Sequence, residues 1–405
     1  MTDTARHRRT FAMEVRARRD QPLGMPPARF LREYWQKHPL LIRGAGAGFK
    51  LPLTPEDLAG LTCEDGVLAR LVLHDRRADH WRVETGPFAE TRFASLPRSH
   101  WTLLVQDVDK WDADVAALLD DFDFLPRWRI DDVMVSYAAD GGGVGPHVDQ
   151  YDVFLLQGLG VRRWRISLDP VAPQALREDV DLKMLADFTA THDWRLHPGD
   201  MLYLPPGIAH DGVAEGDCMT FSVGMRAPAQ SELLLDLAEH LVEHLPETQR
   251  YADPDLAPAR TTGEIDAPAL LRVRQALGAL AAALSSPQLA DWFGRFITRY
   301  RAAQIAAPPL RPTTSAAFAA ALKTGRPLLR HPWSRCAWTR HGHAATLYVA
   351  GLALPCSRAT AIALCDGGPI PPGVALALPA ADRQCLRDLL NEGHLRFGPR
   401  PRGHR

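Results

Sequence analysis

The apolar positions change rhythm twice along the chain. From about residue 66 to 226 they come in short runs or alternate with polar residues, and Gly- or Pro-containing turns separate the runs. HWTLLVQDVDKW (100–111) and DDVMVSYAAD (131–140) read as strands, followed by DVFLLQG, RRWRISL, WRLHPGDMLYLPPGIAHDG and CMTFSVGM. Short strands without strand–helix alternation predict a sandwich or barrel rather than a parallel α/β sheet. A jelly roll disposes of the edges such strands would leave open. Ahead of this region, Phe30, Tyr34 and Trp35 share a helical face before the extended PLLIRG. Thr54, Pro55, Glu56 and Asp57 form a helix start, with a capping hydroxyl, proline in the first turn and acids behind it.

After MRAPAQ (225–230) the period becomes helical. SELLLDLAEHLVEHL is one amphipathic helix, and a second helical region runs from DAPALLRVRQ to ITRYRAAQ. There Leu270, Val273, Leu277, Leu280 and Leu284 recur three and four apart, as a helix–helix seam requires. The spacing fits an internal core stripe and a dimer interface equally well. AAPPLRPTT (306–314) is a Pro-rich linker. Beyond it, a helix (SAAFAAALKTG), short strands (CAWTR, TLYVAG, LALP), another helix (AADRQCLRDLLNEG) and a last strand (HLRFG) suggest a small winged-helix-like α+β module. The expected division is 1–226 (β domain), 227–305 (helical region) and 306–405 (C-terminal module).

Composition narrows the function. Of 405 residues, 46% are hydrophobic and 23% charged, as in ordinary globular proteins, and no apolar run reaches membrane-spanning length. The N-terminus is Arg-rich but has acids and no apolar h-region, so a secretory signal is not expected. The formal net charge of −1 gives the whole molecule no electrostatic hold on nucleic acid, and no direct nucleic-acid binding is expected. RDLLNEG, with one basic residue, is a poor recognition helix. The basic end FGPRPRGHR reads as a solvated tail. The six cysteines form no C-x-x-C pair and read as reduced, mostly buried thiols, which points to the cytoplasm.

The chemistry sits in GGGVGPHVDQYDVFLLQG (141–158). On an extended chain His147 and Asp149 point to one face. A third ligand is offered by His210, just past a Pro-Pro-Gly turn in PGDMLYLPPGIAHDG. Two histidines and a carboxylate leave three positions open on an octahedral metal, the facial triad of non-haem Fe(II) oxygenases. Such a site needs a two-electron donor. If the donor is 2-oxoglutarate, its far carboxylate needs a cation. Alternation in GVRRWRISL puts Arg162, Trp164, Ile166 and Leu168 on an inward face and Arg163 and Arg165 on a solvated one, so Arg162 is the candidate clamp. Thr220 and Ser222 share a strand face and could line the cavity; for Thr220 a solvent-facing strand side is the competing reading. Glycines 141–143 and 145 would let backbone pass close to a substrate, and Tyr137, Gln150, Tyr151 and Asp152 could hold a cationic side chain.

Together these stretches resemble the JmjC-type 2-oxoglutarate oxygenases, and most closely the bacterial ribosomal oxygenases. REYWQKHPLLIRGA, HWTLLVQDVDKW, LPRWRIDDVMVSYA, GGGVGPHVDQYDVFLLQG, RRWRI, PGDMLYLPPGIAHDG, FSVGMRAP and LADWFGRFITRYR carry the resemblance, over roughly residues 27–305. It implies a cupin-like double-stranded β-helix, a helical dimerisation region giving a homodimer, and a winged-helix-like C-terminal domain. It implies Fe(II) on His147, Asp149 and His210, 2-oxoglutarate on Arg162 with a hydroxyl contact from Ser222, and O2 as second co-substrate. The implied reaction is hydroxylation of an arginine on the sixteenth protein of the large ribosomal subunit. The alternatives are a histidyl hydroxylase, a lysine demethylase, or a metal-binding cupin without oxygen chemistry; the last has no need of a buried cation facing a dicarboxylate.

Overall fold

The computed structural model describes residues 11–400 apart from 47, 48, 245–247, 249, 255, 257–264 and 283–285. Contacts divide the chain into two compact units, Met1–Ala227 and Pro228–Arg405. No helix among the described residues is long and apolar enough to cross a membrane.

The first unit is built on one sheet of eleven strands. These are β1 (Glu14–Arg16), β2 (Leu40–Arg43), β3 (Ala69–Asp75), β4 (His80–Thr85), β5 (Trp101–Val105), β6 (Ile130–Ala138), β7 (His147–Val148), β8 (Val153–Ser167), β9 (His192–Leu196), β10 (Met201–Leu204) and β11 (Ala209–Met225). Helices α1 (Pro27–Glu33), α2 (Pro55–Leu61), α3 (Glu90–Ala94), α4 (Val108–Trp111) and α5 (Ala113–Ala117) lie in the connections. The strand order is β1-β2-β10-β8-β11-β6-β5-β3-β4, with β7 also pairing β11 and β9 pairing β8. Among the described residues only the β1–β2 pair runs parallel.

Strands β8 and β11 organise the roll. The sequence pattern breaks each into two runs; the structure joins DVFLLQG to RRWRISL, and PGIAHDG to CMTFSVGM, as single strands. Glycines carry the chain through the joins. Gly160 has φ +62°, and a Cβ there would lie 2.0 Å from the Asp217 carbonyl oxygen. The β8–β11 register shifts between Glu215 and Met219. Bent in this way, β11 pairs with β7 at Ala209 and His210 and with β6 from Cys218 to Met225. One strand thus spans both halves of a double-stranded β-helix.

The outer faces of β6 and β11 feed the larger core. Val133, Val135, Met219, Phe221 and Val223 pack there with Phe30 and Tyr34 of the α1 turn and Leu58 of α2. Each such side chain contributes about 1.5–3 kcal/mol on burial. Helix α1 begins with Pro27 in its first turn; α2 starts at the Thr54 cap with Pro55 and acids behind it, as the sequence predicts, and Asp57 closes a full capping box with Thr54. The opposite faces of β6, β8 and β11 enclose the site.

In the second unit, α6 (Gln230–His244), α7 (Ala267–Ala282) and α8 (Ser286–Arg299) precede α9 (Ser315–Lys323). Then come β12 (Leu328–Arg330) and a meander of β13 (Cys336–His341), β14 (Ala344–Val349) and β15 (Leu352–Ser357). Helices α10 (Arg358–Cys365), α11 (Pro372–Ala377) and α12 (Ala380–Asn391) and strand β16 (Leu395–Phe397), paired with β12, complete a winged-helix fold. Helices α10 and α11 are not read from the pattern: both are short, and α10 is defined by its Ser357 cap rather than by periodicity. Helix α8 packs on the meander, where Gly294 admits the Tyr348 ring within 2.4 Å of its would-be Cβ. The internal-stripe reading of α7 does not hold. Leu270, Val273 and Leu277 are 59%, 44% and 61% exposed, so this face finds no cover within the described chain. Leu284 and the side chain of Leu280 lie outside the described residues.

Candidate metal and co-substrate site

The β7–β11 pairing sets His147 opposite His210. Asp149 follows β7 by one residue, and the ligand atoms of all three lie within 4.8 Å of one another. Asp149 Oδ2 stands 4.0 Å from His147 Nε2 and 3.7 Å from His210 Nε2. The Nδ1 of His147 bonds the Gly145 carbonyl at 2.9 Å, and that of His210 bonds the Ile208 carbonyl at 2.8 Å. A carbonyl only accepts, so each Nδ1 carries the proton and each Nε2 turns a lone pair toward the shared point. His210 is buried; desolvation, then the neighbouring His147 and Arg162, push it down to about 3, which keeps it a neutral ligand. Burial pushes the Asp149 carboxyl up, opposed by His147 and by a hydrogen bond from Tyr151. No other cluster of three or more such ligands occurs among the described residues.

Arg162 enters from β8. It is 3% exposed, and among the described residues no carboxylate meets it. Nη1 donates to Ser136 Oγ and Nη2 to the Gly212 carbonyl, each at 3.1 Å, while Nε is buried without a partner. The guanidinium lies 5.1 Å from the Trp164 ring centroid, and Trp164 stands 5.8 Å from the His210 ring. Gly212 has no room for a side chain; a Cβ would fall 2.6 Å from Trp164. Alternation on β8 therefore delivers Arg162, Trp164 and Ile166 inward, as predicted. A buried cation whose partners are a hydroxyl and a carbonyl still lacks an anion. The donor set fits the far carboxylate of a small dicarboxylic acid, and two neutral imidazoles with one carboxylate fit a divalent metal.

Ser222 and Thr220 are both buried on β11, opposite Met134 and Ser136 of β6. The solvent-facing reading of Thr220 fails: its hydroxyl donates to Gln157 Oε1 at 3.0 Å. Other expectations also change. Arg163 is exposed and pairs with Asp193, but Arg165 binds Asp211, which is buried, and is more than a solvated charge. Asp152 is fully buried, accepting from Tyr203 Oη at 2.7 Å and Gln36 Nε2 at 2.9 Å, so it braces the scaffold. Gln150 is exposed, and Tyr137 tilts against Trp101 at 5.4 Å. The glycines serve packing within the chain: a Cβ on Gly142 would lie 2.2 Å from the Trp101 carbonyl oxygen, and one on Gly143 2.7 Å from that of Gly212.

One residue escapes the sequence reading. Asp132 shares its β6 face with Met134 and with Ser136, which touches Arg162. Desolvation, Asp107 and Asp131 push its carboxyl up to about 7. Burial first, then the negative charges of Asp149 and Asp132, push the Tyr151 hydroxyl up. Among the described residues no cation pairs with Asp132; its hydrogen-bond partner is the Asp107 backbone N–H at 3.0 Å. Period two in DDVMVSYA was the available signal.

Comparison with known proteins gives concordant matches. The JmjC domain family matches residues 117–233 and the ROXA-like winged helix family residues 280–396. The chain is 38% identical to the ribosomal protein uL16 3-hydroxylase of Escherichia coli K12 over 302 residues, covering 74% of this chain and 79% of that one. It is 39% identical to a probable ribosomal oxygenase of Haemophilus influenzae over 236 residues, 58% of this chain and 56% of that one. Among solved structures, YcfD, a ribosomal oxygenase from Escherichia coli in complex with cobalt and 2-oxoglutarate, superposes with a TM-score of 0.80 at 34% identity, covering 93% of this chain and 99% of that one.

Proposed function

The chain belongs to the JmjC-type ribosomal oxygenases, and we propose on that footing that it hydroxylates an arginine side chain of the large-subunit protein uL16, using Fe(II), 2-oxoglutarate and O2. The observation that carries this reading is Arg162, a buried cation without an anion beside a three-ligand metal cluster. When bound, the iron and 2-oxoglutarate supply the oxidising power, turning 2-oxoglutarate and O2 into succinate and CO2 and placing one oxygen atom in a C–H bond.

The chain's own part is positioning. His147, Asp149 and His210 hold the metal by Nε2, a carboxylate oxygen and Nε2. Arg162 takes the far carboxylate of 2-oxoglutarate, its free Nε–H completing the donor set, and the Ser222 hydroxyl adds a contact. Trp164 and Ile166 wall the site with apolar surface and keep water from it. Support for a cationic substrate comes from Asp132 and Tyr151: an unpaired carboxylate beside a phenol that donates to Asp149 suits a guanidinium better than an imidazole. Uncovered leucines on α7 support a homodimer, and a ribosomal substrate fits a cytoplasmic enzyme.

The test is turnover. Purified protein with Fe(II) should convert 2-oxoglutarate to succinate, faster with a uL16-derived peptide, and the His147→Ala and His210→Ala variants should not. Turnover that is indifferent to both histidines would end the proposal. Loss of a methyl group from a methylated lysine peptide, without oxygen gain on arginine, would favour demethylation.

A further inference from the structure

Charge is distributed unevenly along the chain. Residues 306–405 hold thirteen Lys and Arg against four Asp and Glu, a formal net charge of +9, so residues 1–305 hold −10 and the whole chain −1. The near-neutral total conceals a basic module. Between residues 306 and 365 there is no Asp or Glu at all.

The fold gathers part of this charge. Register places Arg340 opposite Ala345 and His341 opposite Ala344 across β13–β14, and Ala344 opposite Ser357 across β14–β15. Arg358 follows Ser357, and His343 lies in the β13–β14 turn beside Gly342, whose φ is +64°. Arg340, His341, His343 and Arg358 are therefore at one end of the meander, the tip of the wing, and all four are exposed. Among the described residues no carboxylate pairs with Arg340 or Arg358. The Arg340 guanidinium lies 5.9 Å from the Trp338 ring centroid.

We propose that this wing tip is an RNA-binding surface, its arginines engaging phosphates and its planar groups stacking on unpaired bases. The choice of RNA over DNA has two supports. The helix that would enter a DNA major groove, α12, spends its arginines on its own domain: Arg383 donates to the Leu376 and Leu378 carbonyls, and Arg387 to Ser315 and Asp388. The second rests on the function proposed above, since a ribosomal protein substrate travels with RNA. The wing then brings the enzyme to its substrate's surroundings.

Fluorescence anisotropy of the full-length protein with a stem-loop RNA, and with a DNA duplex of the same stem sequence, tests this. The stem-loop should bind with Kd in roughly the 1–100 μM range at physiological salt, weakening steeply between about 50 and 200 mM. R340E/R358E should weaken binding by about tenfold or more and lower the salt slope by about two, whereas R340K/R358K should keep most of it, because phosphate accepts a point charge. Turnover of 2-oxoglutarate with the uL16 peptide, measured on the same variants, should stay unchanged, so failure of the wing and failure of the enzyme reading are told apart. No stem-loop binding, binding unaffected by R340E/R358E, or tighter binding to the DNA duplex would overturn the proposal.

Discussion

His147 and His210 face one another across the β7–β11 pairing with ring centroids 4.2 Å apart, and each is oriented by the carbonyl two residues before it, Gly145 and Ile208. The same local device, used twice on paired strands, fixes both tautomers before any metal arrives. Replacing either ring with glutamine keeps bulk but loses the oriented Nε2. His210→Gln should lower Fe(II) affinity by more than the 10- to 100-fold that is typical when only an outer-shell partner is lost. Metal titration followed by quenching of intrinsic tryptophan fluorescence reads this without activity; unchanged affinity would remove His210 from the ligand set.

Arg162 should trade stability for binding. Its guanidinium is buried without an anion, so Arg162→Met should raise the melting temperature of the protein free of 2-oxoglutarate, by about 2–4 °C for each kcal/mol relieved. The same variant should bind 2-oxoglutarate at least about thirtyfold more weakly, the low end of the cost of breaking a buried charge pair. Calorimetric scans with and without 2-oxoglutarate check both halves. A variant that lost stability and kept affinity would contradict the clamp.

Asp132 gives the pH dependence. Its carboxyl is pushed up to about 7, so the folded state holds a proton there that the unfolded chain has already released. Stability should therefore fall as pH rises from the ordinary carboxylate range to about 7, and Asp132→Asn should remove that part of the slope. Binding of a cationic peptide runs the other way, because it needs the carboxylate. The KM for the uL16 peptide should drop as pH rises from about 6 to 8, and should do so far less in Asp132→Asn. A KM profile identical in the two proteins would remove Asp132 from substrate binding.

The glycine cluster should prove structural. Gly142→Ala would drive a methyl into the Trp101 carbonyl, and we expect a loss of about 1–3 kcal/mol in urea unfolding. Loss of activity with full stability would return these glycines to the substrate groove.

The leucine face of α7 predicts self-association. Wild-type protein should sediment as a dimer at micromolar concentration, and Leu270→Glu/Leu277→Glu as a monomer, since both positions are exposed in the single chain. A monomeric wild type would leave that face unexplained.

Much of this was legible before the structure. Period two placed Arg162, Trp164 and Ile166 inward because the second half of β8 alternates cleanly by itself; across the glycines the inward set changes from odd positions (Val153, Leu155) to even ones. The H-x-D spacing and the Pro-Pro-Gly turn named the three side chains that converge within 4.8 Å, since strand geometry alone aligns residues two apart. What escaped needed three dimensions. The merging of runs into β8 and β11 depends on glycines that bend strands instead of ending them. Asp152, offered as a holder of a cationic side chain, is buried and accepts from Tyr203, a partner 51 residues away. Thr220 could not be assigned a side until β6 and β8 enclosed it from both directions. The acidic surroundings of Asp132 come from Asp107, brought to it from another segment.

The most direct test of the central claim is tandem mass spectrometry of a uL16 peptide or intact uL16 after incubation with the enzyme, Fe(II), 2-oxoglutarate and labelled O2. The account predicts one labelled oxygen atom on an arginine side chain, formed together with succinate and absent with His147→Ala. Labelled oxygen on a different residue type, or succinate formation that never transfers oxygen to the peptide, would contradict it.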